Sequence, residues 1–312
     1  MRTILITGGT GFLGRHIVTK LVERGLSRAD IAVVGSHQCD MRGSHPYEEV
    51  MRGKDAVLHL AETTEDGLPI HEKPGEIFYN TITRDLQTIE AAYRARVAKF
   101  VALGTTNSYP RCAPIPLEER HLWHGYPEEA RAPYGLAKRA LLTQVQAYRD
   151  QYAWNAIYLL PAELYGPWAR PDPADCHSVA TLIKKIVNAK RSGHERIKIR
   201  GTGNQRREFL FVEDAAEAII LATERYNKCD PVNLGTGVEI PIAHVVDRIA
   251  SLMRFRGEIE WDASRSDYHP SMLDTSRAER EFGFRARTSF ERGLQKTLTW
   301  WEMTAATGNG PR

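Results

Sequence analysis

The sequence predicts an α/β fold: a doubly wound parallel sheet with a smaller, mostly C-terminal α/β domain beside it. From Met1 to Leu160, short β-rich runs alternate with amphipathic helical stretches, the pattern of a parallel sheet covered by helices. A glycine-rich turn follows the first of these runs directly. The alternation then loses its regularity after Pro161, where Pro167, Pro171 and Pro173 cluster in a loop. These observations divide the chain into a sheet domain at 1–165, joined by part of about 207–236, and a second domain at 166–206 and 237–312.

Thr3 to Thr7, Ile31 to Val34, Ala56 to Leu60, Phe100 to Leu103 and Ala156 to Leu160 read as strands, being short, apolar and largely β-branched or aromatic. Between them Ile77, Ile82, Leu86 and Ile89 recur at helical spacing before Phe100, and Leu141, Val145 and Tyr148 do so after Tyr134. Past Pro161 the sequence predicts a helix near Val179 to Val187 and a strand near Ile197 to Arg200. A strand end running into a helix follows over Phe209 to Glu224, and Ile240 to Met253, Ile259 to Trp261 and Phe290 to Trp301 supply the remaining elements. Gly308 to Arg312 reads as a frayed tail.

Composition narrows the function by exclusion. The 312 residues are 42% hydrophobic and 26% charged, ordinary globular material. Forty-two basic against thirty-nine acidic residues give a formal charge of +3 spread along the chain, which argues against nucleic acid or an anionic membrane as partner. No apolar run approaches about 18 residues, so no membrane span is expected, and the run from Met1-Arg2 into the first strand leads us to expect no secretory signal. Cys39, Cys112, Cys176 and Cys229 lack the paired spacing of zinc or redox sites, so no metal is expected and a reducing cytoplasm is the expected location.

The glycine turn carries the first chemistry. In Gly8-Gly9-Thr10-Gly11-Phe12-Leu13-Gly14, Gly8 allows a tight turn, Gly11 lets backbone approach a pyrophosphate, and Gly14 lets helix pack on strand. The helix running through Arg15 would place its N-terminus against the anion. The second strand ends Val34-Gly35-Ser36-His37, where an NAD site would place a carboxylate for the ribose hydroxyls. With none there, and with Arg15, Ser36 and His37 at hand for a ribose phosphate, NADP(H) is favoured over NAD(H). Gly35 to His37 as a plain turn is the alternative, and Asp40 stands in the loop beyond, able to approach the adenine.

Tyr134 and Lys138, four residues apart, share one helical face about a turn apart. An ammonium beside a phenol favours the phenolate, which makes Tyr134 a usable acid or base near neutral pH, and Lys138 can also hold a nicotinamide ribose. Gly104-Thr105-Thr106-Asn107-Ser108-Tyr109-Pro110 follows the fourth strand and offers a hydroxyl to share a substrate oxygen with Tyr134. The scheme requires the Tyr134 ring to face the dinucleotide cleft and Lys138 to be engaged there and not elsewhere.

With these three motifs the chain resembles the extended short-chain dehydrogenase/reductases, the NAD-dependent epimerase/dehydratase family with a Rossmann sheet, and within it the branch of GDP-L-fucose synthases. Leu164-Tyr165-Gly166-Pro167, Gly201-Thr202-Gly203, Arg207-Glu208-Phe209, Asn233-Leu234-Gly235-Thr236-Gly237 and Asp262-Ala263-Ser264 with Asp267 extend the resemblance to about Trp301. It implies that Thr105 is the family hydroxyl, Tyr134 the acid or base and Lys138 its partner. It further implies that Phe12, Leu13, Leu60, Ala61 and Pro161 join the glycines around the dinucleotide. Lys185, Arg200 and Arg207 would meet a nucleotide diphosphate, a solvated basic face being the alternative, and Asp267 would contact the substrate.

The departures narrow the reaction. Inverting the two carbons beside a keto group needs a base and an acid, in this branch a cysteine and a histidine. His177 matches the histidine, or else hydrogen-bonds the sugar. Asn107 stands at the cysteine position, and an amide has no useful proton affinity, so it neither abstracts a proton nor runs a dehydration. Cys112 and Cys176 are the candidates to substitute, ordinary buried thiols otherwise. Glu163 replaces the usual asparagine near the diphosphate, where a carboxylate must be neutralised or paired, or else point at the sugar. The expected activity is hydride transfer at carbon 4 of a nucleotide-diphosphate sugar, as a ketoreductase or a 4-epimerase. A full 3,5-epimerase/4-reductase is the alternative, and a non-catalytic NAD(P)-sensing protein the second. The helices over Glu76 to Arg94 and Tyr134 to Arg149 resemble those that form a homodimer interface in this family.

Overall fold

A computed structural model describes residues 2–35, 45–61, 73–171, 177–263 and 271–306. The apolar runs become β1 (Ile4–Thr7) and, past α1 (Phe12–Glu23), β2 (Ile31–Val34). Then come α2 (His45–Met51), β3 (Ala56–His59), α3 (Pro74–Arg94), β4 (Lys99–Leu103), α4 (Ala132–Tyr152) and β5 (Asn155–Pro161). The less regular half supplies β6 (Glu163–Tyr165), α5 (Val179–Arg191), β7 (Arg196–Arg200), β8 (Arg206–Phe211) and α6 (Val212–Arg225). The chain continues through β9 (Val232–Leu234), β10 (Glu239–Pro241), α7 (Ile242–Leu252), β11 (Glu258–Asp262), α8 (Ser276–Phe282) and α9 (Phe290–Ala306).

Every residue of β1 and β3 is buried, as expected of central parallel strands with helices on both faces. The strands pair in the order β2-β1-β3-β4-β5-β9, all parallel, with Thr7 opposite both Val34 and His59 and Leu103 opposite Leu159. The five predicted strands lie within a residue of their expected ends. The sixth, β9, has three residues, too few for any periodicity to show. The short β6 and β10 and the helices α2 and α8 were likewise absent from the sequence reading. β6, β8 and β10 form a small second sheet, and β7 pairs with β11 in a third.

Two apolar cores form. The first joins the main sheet to α1, α3, α4 and α6, and the second gathers α5, α7 and α9 around β7 and β8. Leu273, Ala278, Phe282 and Phe284 lie in the first core, although 237–312 was assigned to the second domain, because α8 packs against α6 and β9.

Candidate active site

Strand order reverses around β1, which lies between β2 and β3, and crevices at such a point, beyond the carboxyl ends of the strands, accept dinucleotides. The glycine turn occupies that end of β1. Gly8 has φ +70°, and a Cβ there would sit 2.9 Å from the amide of Ala61, just past β3. A Cβ on Gly14 would come within 2.4 Å of Gly8 O and Gly9 Cα, so the start of α1 packs on the turn itself as well as toward the strand. Gly11 is the N-cap of α1 and offers no side chain, which leaves the first amides of the helix to a ligand. This cradle, which any Cβ would fill, fits a pyrophosphate.

Phe12 and Leu13 open α1, Leu60 and Ala61 follow β3, and Pro161 ends β5, all at the carboxyl end of the parallel strands. Arg15 Nε donates to Thr10 O at 2.6 Å, and its guanidinium lies 4.6 Å from the centroid of the Trp168 ring. Trp168 in turn meets Trp300 of α9, with centroids 5.3 Å apart. Next to Arg15, His16 donates from Nε2 to Pro167 O at 3.1 Å; burial lowers its pKa, the carbonyl opposing. Ser36, His37 and Asp40 lie outside the described residues, as do Asp267 and the thiol candidate Cys176.

α4 begins with Pro133 in its first turn, where a missing N–H costs nothing, and carries Tyr134 and Lys138 on a buried face. Lys138 is 1% exposed, and its Nζ lies 5.8 Å from the centroid of the Tyr134 ring. The Thr105 turn docks beside them: Ser108 Oγ donates to Gly135 O at 3.1 Å, and a Cβ on Gly135 would fall 2.3 Å from Asn107 O. Thr105 Oγ1 accepts from Asn107 N at 3.2 Å and so shapes the turn on which it stands. The Asn107 amide oxygen accepts from Arg131 at 3.1 Å.

The expectation that Lys138 serves only Tyr134 and a ribose is corrected by the structure. Its ammonium is 3.0 Å from Asp85 Oδ2, in an ion pair within the core. Asp85 Oδ1 also accepts from His59 Nε2 at 3.0 Å and from Arg84 at 3.1 and 3.0 Å. Burial pushes the Asp85 carboxyl up, but Lys138, Arg84 and His59 outweigh it and hold the group well below the usual carboxylate range. Burial lowers the pKa of His59, the neighbouring carboxylate opposing. Neutral His59 therefore donates from Nε2 to Asp85 and accepts at Nδ1 from Thr7 Oγ1, 2.8 Å away. A lysine buried this deeply needs a counter-ion, and Asp85 supplies it without removing the ammonium from the phenol. Sequence reading missed Asp85, yet a signal was present: it stands three residues after Ile82 and four before Ile89, on the apolar stripe.

A cleft opens beside the turn, bounded among others by Asn107, Arg111, Glu128, Arg131, Glu163 and Arg207. Glu163 of β6 pairs with Arg207 of β8 at 2.6 Å, so the carboxylate that departs from the family pattern has a cation. Cys112 is exposed. His177 is 2% exposed and donates from Nε2 to Arg200 O at 2.8 Å, against the end of β7. It is not among the described residues bounding the cleft, and neither are Lys185 and Arg200, both half-buried. Among the described residues no three His, Cys, Asp or Glu side chains converge on a metal-sized site, and no helix is long and apolar enough to cross a membrane.

Motifs far apart in sequence meet here. Tyr109 donates to Asn233 Oδ1 at 2.7 Å, and Asn233 Nδ2 donates to Leu117 O at 2.8 Å. Glu208 accepts from the amides of Leu273 at 2.6 Å and Gly237 at 2.9 Å and from Thr236 N; burial pushes its carboxyl up, these donors opposing.

The comparisons agree with this geometry. The NAD dependent epimerase/dehydratase family matches residues 4–235. GDP-L-fucose synthase 1 of Arabidopsis thaliana is 30% identical over 301 residues, covering 96% of this chain and 92% of the relative. Among solved structures, a GDP-6-OMe-4-keto-L-xylo-heptose reductase from C. jejuni superposes with a TM-score of 0.87 at 22% identity, over 97% of this chain and 98% of that one. A GDP-L-fucose synthetase from Naegleria fowleri bound to NADP superposes at 0.85 and 22% identity, over 98% and 96%. The buried tyrosine-lysine pair, the glycine cradle at the strand-order reversal and the match over most of the chain lead to one assignment: the chain belongs to the NAD dependent epimerase/dehydratase family.

Proposed function

We propose that the protein transfers a hydride at carbon 4 of a nucleotide-diphosphate sugar, as a ketoreductase or a 4-epimerase, with NADP(H) favoured over NAD(H). The observation that carries this reading is the placement of Tyr134 and Lys138 on one face of α4, against the Thr105 turn that follows β4, at the carboxyl end of the sheet where the glycine cradle follows β1. The relatives named GDP-L-fucose synthase support a guanine nucleotide sugar, and the NADP-bound neighbour supports NADP(H).

The nicotinamide, when bound, gives or takes the hydride. Tyr134 moves the matching proton at its hydroxyl to or from the sugar oxygen, Thr105 orients that oxygen, and Lys138 favours the phenolate by its charge. Gly8, Gly11 and Gly14 hold the pyrophosphate against the start of α1. Asn107 holds no proton-abstracting group, and its amide oxygen is engaged by Arg131, so the carbons beside the keto group keep their configuration. Arg207, with Glu163 beside it, receives the diphosphate, and His177 braces the end of β7 through the Arg200 carbonyl. The second domain, 166–206 with most of 237–312, closes over the sugar. The protein acts in the cytoplasm as a homodimer through α3 and α4, where Phe78 and Tyr79 are exposed.

The test is incubation in deuterated water of a panel of nucleotide 4-keto sugars with NADPH and, separately, of C4-hydroxy nucleotide sugars with NADP⁺, reading cofactor consumption, product stereochemistry and deuterium. Consumption without deuterium at the flanking carbons is expected of the reductase. Inverted carbon 4 without net consumption marks the epimerase. Deuterium beside the keto carbon marks the second reading, a full epimerase-reductase, which the GDP-L-fucose synthase relatives favour. Complete inertness removes the enzymatic reading of this site.

A further inference from the structure

The polar cluster under Lys138 lies within the apolar core. Asp85 is 0% exposed, Lys138 1%, His59 1% and Arg84 5%, at the meeting of β3, α3 and α4. One carboxylate there receives two cations, Lys138 at 3.0 Å and Arg84 at 3.0 Å, while His59 reaches it as a neutral donor tied to Thr7 of β1. Two positive charges against one negative leave a surplus of one. Among the described residues Tyr158 of β5 also adjoins the cluster: its hydroxyl donates to Lys138 O at 2.9 Å and so fixes the backbone from which the ammonium extends.

A buried ammonium without a counter-ion tends to lose its proton, and a lone carboxylate beside it would cancel its field at the phenol. The cluster answers both requirements, since the carboxylate stabilises the ammonium and the guanidinium restores the charge the carboxylate removes. We propose that Asp85 is the positioning residue for the Tyr134–Lys138 pair, holding Lys138 charged and in place beside the phenol, with Arg84 supplying the surplus positive charge that Tyr134 feels. This rests on the reading of Tyr134 as the acid or base, and extends it to two residues on α3.

The test separates the two ideas by following Tyr134 itself. The tyrosinate absorbance of each protein, less that of its Tyr134→Phe counterpart, gives the Tyr134 titration without any turnover. Asp85→Asn removes the anion that keeps the Lys138 ammonium beside the phenol and is expected to raise the midpoint by roughly one pH unit, and Arg84→Met removes a cation and is expected to raise it by roughly as much. The alkaline limb of the kcat profile should move in the same direction. A wild-type midpoint in either folded variant overturns the proposal. Where Asp85→Asn does not fold, Arg84→Met against the wild type decides it, an unmoved midpoint again overturning it. A wild-type protein without turnover would sink the hydride-transfer reading but leave the absorbance titration able to decide this one.

Discussion

Tyr134 was legible from sequence because a phenol four residues before an amine, after a hydroxyl-bearing turn, specifies one face of one helix. Asp85 was not recognised because its partners come from β3 and α4, which no local spacing brings together. The Glu163 to Arg207 pair was hidden for the same reason: it depends on β6 lying beside β8, and β6 is three residues long. If Tyr134 carries the proton as proposed, Tyr134→Phe should lower kcat for NADPH-dependent reduction by about 10²–10⁴-fold, the usual worth of a positioned acid. Glu163→Gln removes an anion from the cleft beside Arg207, so KM for the nucleotide sugar should fall several-fold with kcat little changed. Steady-state kinetics with a responsive 4-keto sugar check both.

At the scale of elements, the central strands and the long helices could be read because burial on both faces leaves continuous apolar runs and burial on one leaves a helical stripe. The three-residue strands β6, β9 and β10 carry no such pattern, their pairing being set by neighbours distant in the chain. Leu141, fully buried on α4, holds that helix to the sheet, and Leu141→Ala should cost about 2–5 kcal/mol, read as a lower denaturation midpoint. Lys99 opens β4 with its amine directed at the carbonyls of Ala222 and Tyr226, and burial pushes its pKa down to about 8. The unfolded chain therefore binds the proton more tightly, and stability rises with pH between about 8 and about 10.4. Lys99→Met should flatten that part of the stability profile relative to wild type, as denaturant titrations at several pH values would show.

For the whole molecule, a two-core layout followed from the change of rhythm after Pro161, whereas the return of 273–284 to the first core did not, since α8 gives no sign in sequence of which sheet it will meet. Sedimentation should give twice the 35.2 kDa of one chain if α3 and α4 pair with a second copy. The stack of Arg15, Trp168 and Trp300 runs from the first helix of one core to the last helix of the other, with the Trp168 backbone in the left-handed region at φ +73° and its indole 44% exposed. An indole stationed between the nucleotide cradle and the C-terminal helix is a built-in optical reporter. Adding NADPH should quench its emission and transfer energy to the reduced nicotinamide, and Trp168→Phe should lose most of that signal while still binding the dinucleotide, so that cofactor loading becomes visible by fluorescence without any label.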